Sequence, residues 1–363
     1  MSVFAAIAVL LLLVVVHELG HFLAARLQGI HVSRFSIGFG PILWKYQGSE
    51  TAYTLCAFPL GGFVGFPDDD PDSDIPSNDP DLLKNRPVMD RAIVISAGVI
   101  ANLVFAYLVF VTQVGFVGVQ EFTPAAGVLV PQIVSAEVPA AQAGLESGDV
   151  VLAVNGNPLG LEQGVERQLM DVIIASPDQP IALQVQRGDR QLNLEVTPRP
   201  DSEGIPRIGA VLTPNGTVDF RRPNGVGEVI GKSAQEFQTM FVRTVQGFVS
   251  LVTNFSSVAG QVAGPVKIVE QGASLAADNW VYLFPFTAII SINLAIINIL
   301  PLPALDGGQL AFLLIEALRG KPLPGRFQEN VMQTGIMLLL GLGIFLIVRD
   351  TTQLGVFQNL FRQ

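Results

Sequence analysis

The segment His17-Glu18-Leu19-Gly20-His21 lies inside an apolar stretch, directly after the run Val3–Val16 and before Phe22-Leu23-Ala24-Ala25. Few folds accept two imidazoles and a carboxylate there. In an α-helix residues i and i+4 share a face, so His17 and His21 are placed to grip one metal ion. Glu18 sits about 100° around the same helix, near enough to handle a water beside that ion. Ionisable groups at membrane depth are costly unless paired or coordinated, so the cluster reads as a hydrolytic site built in lipid.

Composition points the same way. Of 363 residues, 50% are hydrophobic and 14% charged, against about 25% charged in soluble domains. Four segments reach the roughly 17–25 residues a membrane span needs. They are 1–27, which carries the HExxH, then 91–115, 281–303 and 331–349. The first lacks a basic leading region and stays apolar to Leu27, unlike a cleaved signal peptide. A net charge of −10 argues against nucleic acid as a partner. Cys56 is the single cysteine, which excludes an intramolecular disulfide and a cysteine-built metal site.

Between the spans the chain changes character several times. Residues 28–90 contain Phe35–Pro41 and Tyr53–Phe66, apolar but broken by Gly and Pro, and read as short strands and turns. They form either a re-entrant β element beside the metal or a cytoplasmic hairpin. Residues 68–81 read as an exposed acidic loop. Residues 122–200 read as an α/β module, with strands at Val128–Val134, Val150–Val154, Ile181–Val185 and Leu192–Val196 and a helix over 161–175. Residues 201–280 read as a helical region on the membrane surface or under that module. Residues 304–330 form a segment around Leu305-Asp306-Gly307-Gly308 with a cytoplasmic loop, and 350–363 a C-terminal tail. The fold class is an α-helical polytopic membrane protein with a re-entrant β region and one extracytoplasmic α/β domain. Arg26, Arg34, Lys45, Lys84, Arg86 and Arg91 after span one, and Arg319, Lys321 and Arg326 after span three, place those loops in the cytoplasm.

A catalytic zinc takes three protein ligands and keeps one position open. The chain has three histidines, and His31 follows Gly29 in a turn, off the face of His17 and His21. A carboxylate is then the better third ligand. The candidate is Asp306, an acid set in the apolar stretch Asn298–Gly308, where Pro301 and Pro303 interrupt the helix and two glycines permit close approach.

HELGH together with N-x-x-P-x-P-x-L-D-G-G resembles the site-2 protease family of intramembrane zinc metalloproteases, nearest the regulator-of-sigma-E branch, over almost the whole chain. The resemblance implies Zn2+ held by His17, His21 and Asp306, with Glu18 as general base. It also implies substrate-binding roles for Asn298, for Asn102 in the Gly98–Asn102 GxxxN element, and for Gly61 and Gly62 in the re-entrant β region. Asn102 alternatively bonds neighbouring helices together. Ala143–Gly156 resembles the core of PDZ domains, present once here, whereas the best-known branch members carry two. That domain would either bind peptide by strand addition, between the 127–134 strand and the 161–174 helix, or exclude bulky ectodomains. The implied partners are transmembrane segments of single-span proteins and membrane lipid, in a bacterial inner (plasma) membrane or an organellar or thylakoid equivalent. The sequence leaves the oligomeric state open. A catalytically silent relative that binds membrane segments, or a metal transporter, would also bury such groups.

Overall fold

The computed structural model describes residues 2–353 apart from 71–72, 163, 202–203 and 256–261. The tail beyond 353 and part of the acidic loop therefore lie outside the described residues. The chain divides into two compact units, one of residues 118–222 and one formed by the chain on either side.

The larger unit is helical. Its elements α1 (Ser2–Leu27), α2 (Val88–Phe116), α7 (Leu283–Ile299, preceded by a 3-10 turn from Trp280) and α9 (Gly325–Gln353) include four helices long and apolar enough to cross a membrane. Between them lie α5 (Val226–Thr253), α6 (Pro265–Asp278) and α8 (Asp306–Arg319). Ala106, Val109 and Phe110 of α2 meet Ala288 and Ile292 of α7, and Phe237, Met240 and Phe241 of α5 close over them. This packing ties α2 to α7 and so fixes the back wall of the site.

Two bent 14-residue strands, β1 (Arg34–Gln47) and β2 (Ala52–Gly65), follow α1. Arg34–Ile37 pairs in parallel with Ala52–Leu55 and antiparallel with Gly62–Gly65, and Trp44–Gln47 runs antiparallel to Ala52–Leu55. Long strands thus replace the short ones expected over 28–90. The Gly62–Gly65 segment lies at one margin of this patch.

Three boundaries differ from the sequence-based reading. Helix α7 stops at Ile299, short of 303, because Leu300 adopts the extended backbone favoured before Pro301. The chain restarts as α8 at Asp306, so most of 304–330 is helical rather than loop. Helix α9 begins at Gly325, ahead of 331.

The smaller unit contains β3 (Val119–Ile133), α3 (Pro139–Gln142), β4 (Asp149–Val154), β5 (Asn157–Pro158), α4 (Val165–Ala175), β6 (Ile181–Arg187), β7 (Arg190–Val196), β8 (Arg199–Pro200), β9 (Pro206–Arg207) and β10 (Ala210–Arg221). Its sheet runs β10-β3-β4-β6-β7 with β5 beside β4, over a core that includes Val128, Val151, Leu169, Ile181 and Leu183. The unit therefore spans 118–222 rather than 122–200, and Pro206–Arg207 and Ala210–Arg221, read as part of a helical region, are strands. The correction reaches the expected groove. Strand β3 pairs with β4 at Val128–Val130 and with β10 at Val128, Leu129, Gln132 and Ile133, so Val128 and Leu129 of the expected peptide-binding strand are already paired on both edges. The sheet's terminal strand on that side is β10, which also packs against α4.

The Gly148-Asp149 pair of the PDZ-like core has a clear physical role. Asp149 is buried and receives Nε and Nη2 of Arg187 at 2.7 Å each, with the Glu146 amide at 2.8 Å. Burial raises its proton affinity, but the Arg187 fork and that amide outweigh it, and the carboxyl is held below its usual range. The unfolded chain then binds this proton more readily than the native unit. Stability from the pair is present above the unfolded value of about 3.9 and is lost as pH falls through the native value. Thermal melting of the 118–222 segment should therefore drop as pH is lowered below about 4. In Arg187→Gln the carboxyl stays buried without its partner, and acidification should raise the melting temperature instead. A wild-type melting curve flat across that window would refute the assignment.

Candidate metal centre

Helix α1 sets His17 and His21 on one face, and the turn at 300–305 brings Asp306, the first residue of α8, against them. The two Nε2 atoms lie 3.2 Å apart. Asp306 Oδ2 is 3.2 Å from His17 Nε2 and 3.4 Å from His21 Nε2. Around a zinc at roughly 2.0–2.1 Å from its ligands, tetrahedral geometry separates neighbouring ligand atoms by about 3.3–3.4 Å. The three atoms already stand at that spacing. Asp306 Oδ2 is buried and accepts no hydrogen bond, which fits an oxygen placed to ligate a cation. The donor set of two imidazoles and one carboxylate suits zinc and leaves a fourth position open.

The far side of each ring is also held. His21 Nδ1 lies 2.8 Å from the Val94 carbonyl oxygen on α2, so Nδ1–H donates and the Nε2 lone pair faces the centre. His17 Nδ1 is 3.3 Å from the amide end of Asn102. The buried Oδ1 of Asn102 has no hydrogen-bond partner. An amide turned to present Oδ1 to His17 Nδ1–H would satisfy that oxygen and fix the same tautomer. Asn102 is 0% exposed and its carbonyl accepts Ser291 Oγ of α7 at 2.8 Å, so it sits between the His17 ring and the α2–α7 contact. The sequence offers two roles for Asn102, substrate binding and bonding between neighbouring helices, and the Ser291 contact is of the second kind. Its signal in sequence, a lone polar residue in an apolar helix, does not distinguish the two roles.

Asn298, near the end of α7, places its amide nitrogen 3.2 Å from His17 Nε2, beside the converging ligand atoms. Glu18 lines a cavity of about 670 Å³ together with His17, His21, Asp306 and Gly62. Gly62 belongs to the marginal strand, and a Cβ there would fall 3.0 Å from Glu18 Cγ and 2.8 Å from the Ser36 carbonyl oxygen. Gly61 packs instead on the Phe39 ring. His31 lies elsewhere, 3.9 Å from both Glu50 and Asp79.

Residues 5–342 match the family described as peptidase family M50. A protein of Nostoc sp. provisionally named a zinc metalloprotease is 61% identical over 355 residues, covering 98% of this chain and 97% of the relative. The Arabidopsis thaliana protein named "Membrane metalloprotease ARASP, chloroplastic" is 48% identical over 364 residues, covering 99% of this chain and 80% of its own length. Among solved structures, the PDZ domain of an SdrC-like protein from Listeria monocytogenes aligns with 25% identity, 25% of this chain, 92% of its own and a TM-score of 0.22. Because the family match runs from the first span into the fourth and both relatives align with nearly all of this chain, the chain belongs to peptidase family M50, the site-2 proteases, and is a membrane zinc metallopeptidase.

Proposed function

We propose that the chain is an intramembrane endopeptidase that cleaves transmembrane segments of single-span membrane proteins, with His17, His21 and Asp306 as the zinc ligands and Glu18 as the base. The observation that carries this reading is the meeting of three ligand atoms at 3.2–3.4 Å, drawn from helices far apart in sequence and walled by apolar spans. Zinc bound there supplies Lewis acidity toward the scissile carbonyl and lowers the pKa of water toward about 7. Glu18 takes the proton of the attacking water and passes it to the leaving amine. Val94 and Asn102 keep both Nε2 atoms unprotonated and aimed. Asn298, whose amide nitrogen lies beside His17 Nε2, can donate to a substrate carbonyl brought to the centre.

A helical substrate has already spent its amides on internal bonds, so it must unwind locally before attack. The Gly62–Gly65 strand pairs with Arg34–Ile37 on one edge, and among the described residues no strand covers its other edge. Phe63 and Val64 of this strand line the catalytic cavity. An unwound segment added there would lie beside Glu18, its backbone bonded before the peptide bond is cut. The cation-rich loops put the site toward the cytoplasm and the 118–222 unit outside, where it restricts entry to substrates already trimmed of their ectodomains. Anti-sigma factors and remnant signal peptides fit that description. The membrane is a bacterial plasma membrane or a photosynthetic one, in keeping with the chloroplastic name of the Arabidopsis relative.

Metal analysis of detergent-purified protein tests the ligand set. Wild type should carry ~1 zinc per chain, and Asp306→Ala should lose most of it together with chelator-sensitive cleavage of a reporter span. Equal zinc in both proteins would remove Asp306 from the centre.

A further inference from the structure

Asp306 is the first residue of α8, which follows a turn containing two prolines, so α7 alone does not dictate where that carboxylate lands. Along α8, Asp306, Gln309, Leu313 and Glu316 recur at intervals of three and four and therefore share a face, and all four line the catalytic cavity. Along α2, Arg91, Val94 and Gly98 recur in the same way. Val94 holds His21 through its carbonyl, and Gly98 is the surface against which the His21 ring rests. The two faces run in opposite directions past one another. At the site end they are linked through His21 and Asp306. At the other end Arg91 meets Glu316 with both terminal guanidinium nitrogens: Nη1 donates to Oε2 at 3.1 Å and Nη2 donates to Oε1.

We infer that the Arg91–Glu316 fork is a positioning device for the metal centre, fixing the depth and rotation of α8 against α2 so that Asp306 reaches the two imidazoles. The inference rests on the reading of Asp306 as a zinc ligand. Two parallel hydrogen bonds between planar groups define a direction as well as a distance, which a single ammonium does not. The side chains are 17% and 15% exposed, so water replaces neither partner cheaply. Among the described residues the opposite face of α8 has no comparable anchor, since Leu314, Ile315 and Leu318 are exposed. Ten residues of helix, about 15 Å, separate Glu316 from Asp306, so a small rotation or slip at the fork is delivered to the carboxylate. A misplaced carboxylate weakens the metal before it weakens the fold.

The test uses the full-length protein in detergent, with wild type, Arg91→Gln, Arg91→Lys, Glu316→Gln, the reciprocal Arg91→Glu/Glu316→Arg exchange, and Asp306→Ala alongside. Zinc affinity is measured by chelator competition, the melting of the zinc-free protein is followed separately, and kcat and KM are determined on a reporter span. Arg91→Gln and Glu316→Gln should weaken zinc by about 10–100-fold and lower kcat more than KM changes, with zinc-free melting near wild type. Arg91→Lys should recover only part of the loss, and the exchange should recover most of it. Wild-type zinc affinity in Arg91→Gln overturns the inference, as does an exchange that restores melting but not zinc. If Arg91→Gln does not fold, Glu316→Gln and the exchange decide by the same criteria. Should Asp306→Ala keep its zinc, the ligand reading fails; should it lose zinc while the fork variants keep theirs, only the positioning role fails.

Discussion

Glu18→Gln should keep its zinc and lose cleavage by about 10²–10⁴-fold. Glu18 is not one of the three converging atoms, so ligand number and ligand spacing survive the change. The residue follows His17 on α1 and lines the same cavity, with the Gly62 backbone beside its Cγ. Glutamine reproduces the shape and can still fill that corner. It cannot accept a proton from the attacking water or return one to the departing amine, which is the whole of the proposed role. The measurement pairs metal content with turnover of a reporter span in micelles. Turnover within a few-fold of wild type would remove Glu18 from the chemistry, whereas loss of zinc with loss of turnover would make it part of the metal scaffold. The inert variant should also hold uncleaved substrate, giving a route to the natural partner.

The meeting of His17, His21 and Asp306 was more legible in the sequence than the architecture around it. HELGH announces itself because a helical repeat and an apolar setting are both local properties, readable within a few turns. Asp306 was reachable because an acid between prolines and glycines in an apolar stretch has few other uses. Strand β10 was not. Its sequence contains Pro214-Asn215-Gly216, residue types that favour turns, and its partners in β3 lie 77 (210 − 133) to 102 (221 − 119) residues earlier. The strand tolerates them because it sits at the sheet edge and slips register on both sides of Pro214. Helix α8 was hidden in the same manner, since Gly307-Gly308 at its start look like a loop while serving close approach to the carbonyls of 299, 300 and 302. Arg91 shows a different failure. Counted as a flanking cation it helped orient the spans, yet its charge is spent on Glu316, a pairing that only the folded chain reveals.

Gly98→Ala should strip the centre of zinc although it touches no ligand chemistry. A Cβ at this position would lie 2.3 Å from His21 Nε2 and 2.7 Å from His17 Cε1, against the ring ends that meet the metal. Neither ring has room to retreat. His21 is held by Val94 and His17 faces Asn102, both on the same helix as Gly98, so any outward shift of α1 breaks those bonds too. Helix α1 is pinned further by Gly20, where a Cβ would fall 2.5 Å from the Ala97 carbonyl oxygen. Overpacking of this kind costs about 1–3 kcal/mol in folded stability, and displaced ligands should cost a further 10–100-fold in zinc affinity. The control is Gly115→Ala on the same helix, where the new Cβ would meet only Val229 Cγ1 at 3.9 Å, an ordinary contact. Identical chemistry at two points of α2 should thus give opposite results: wild-type zinc and turnover at 115, loss of both at 98. If Gly98→Ala binds zinc as tightly as Gly115→Ala, the two imidazoles do not rest on α2 as the geometry requires, and the close crossing of α1 and α2 is not what shapes the centre.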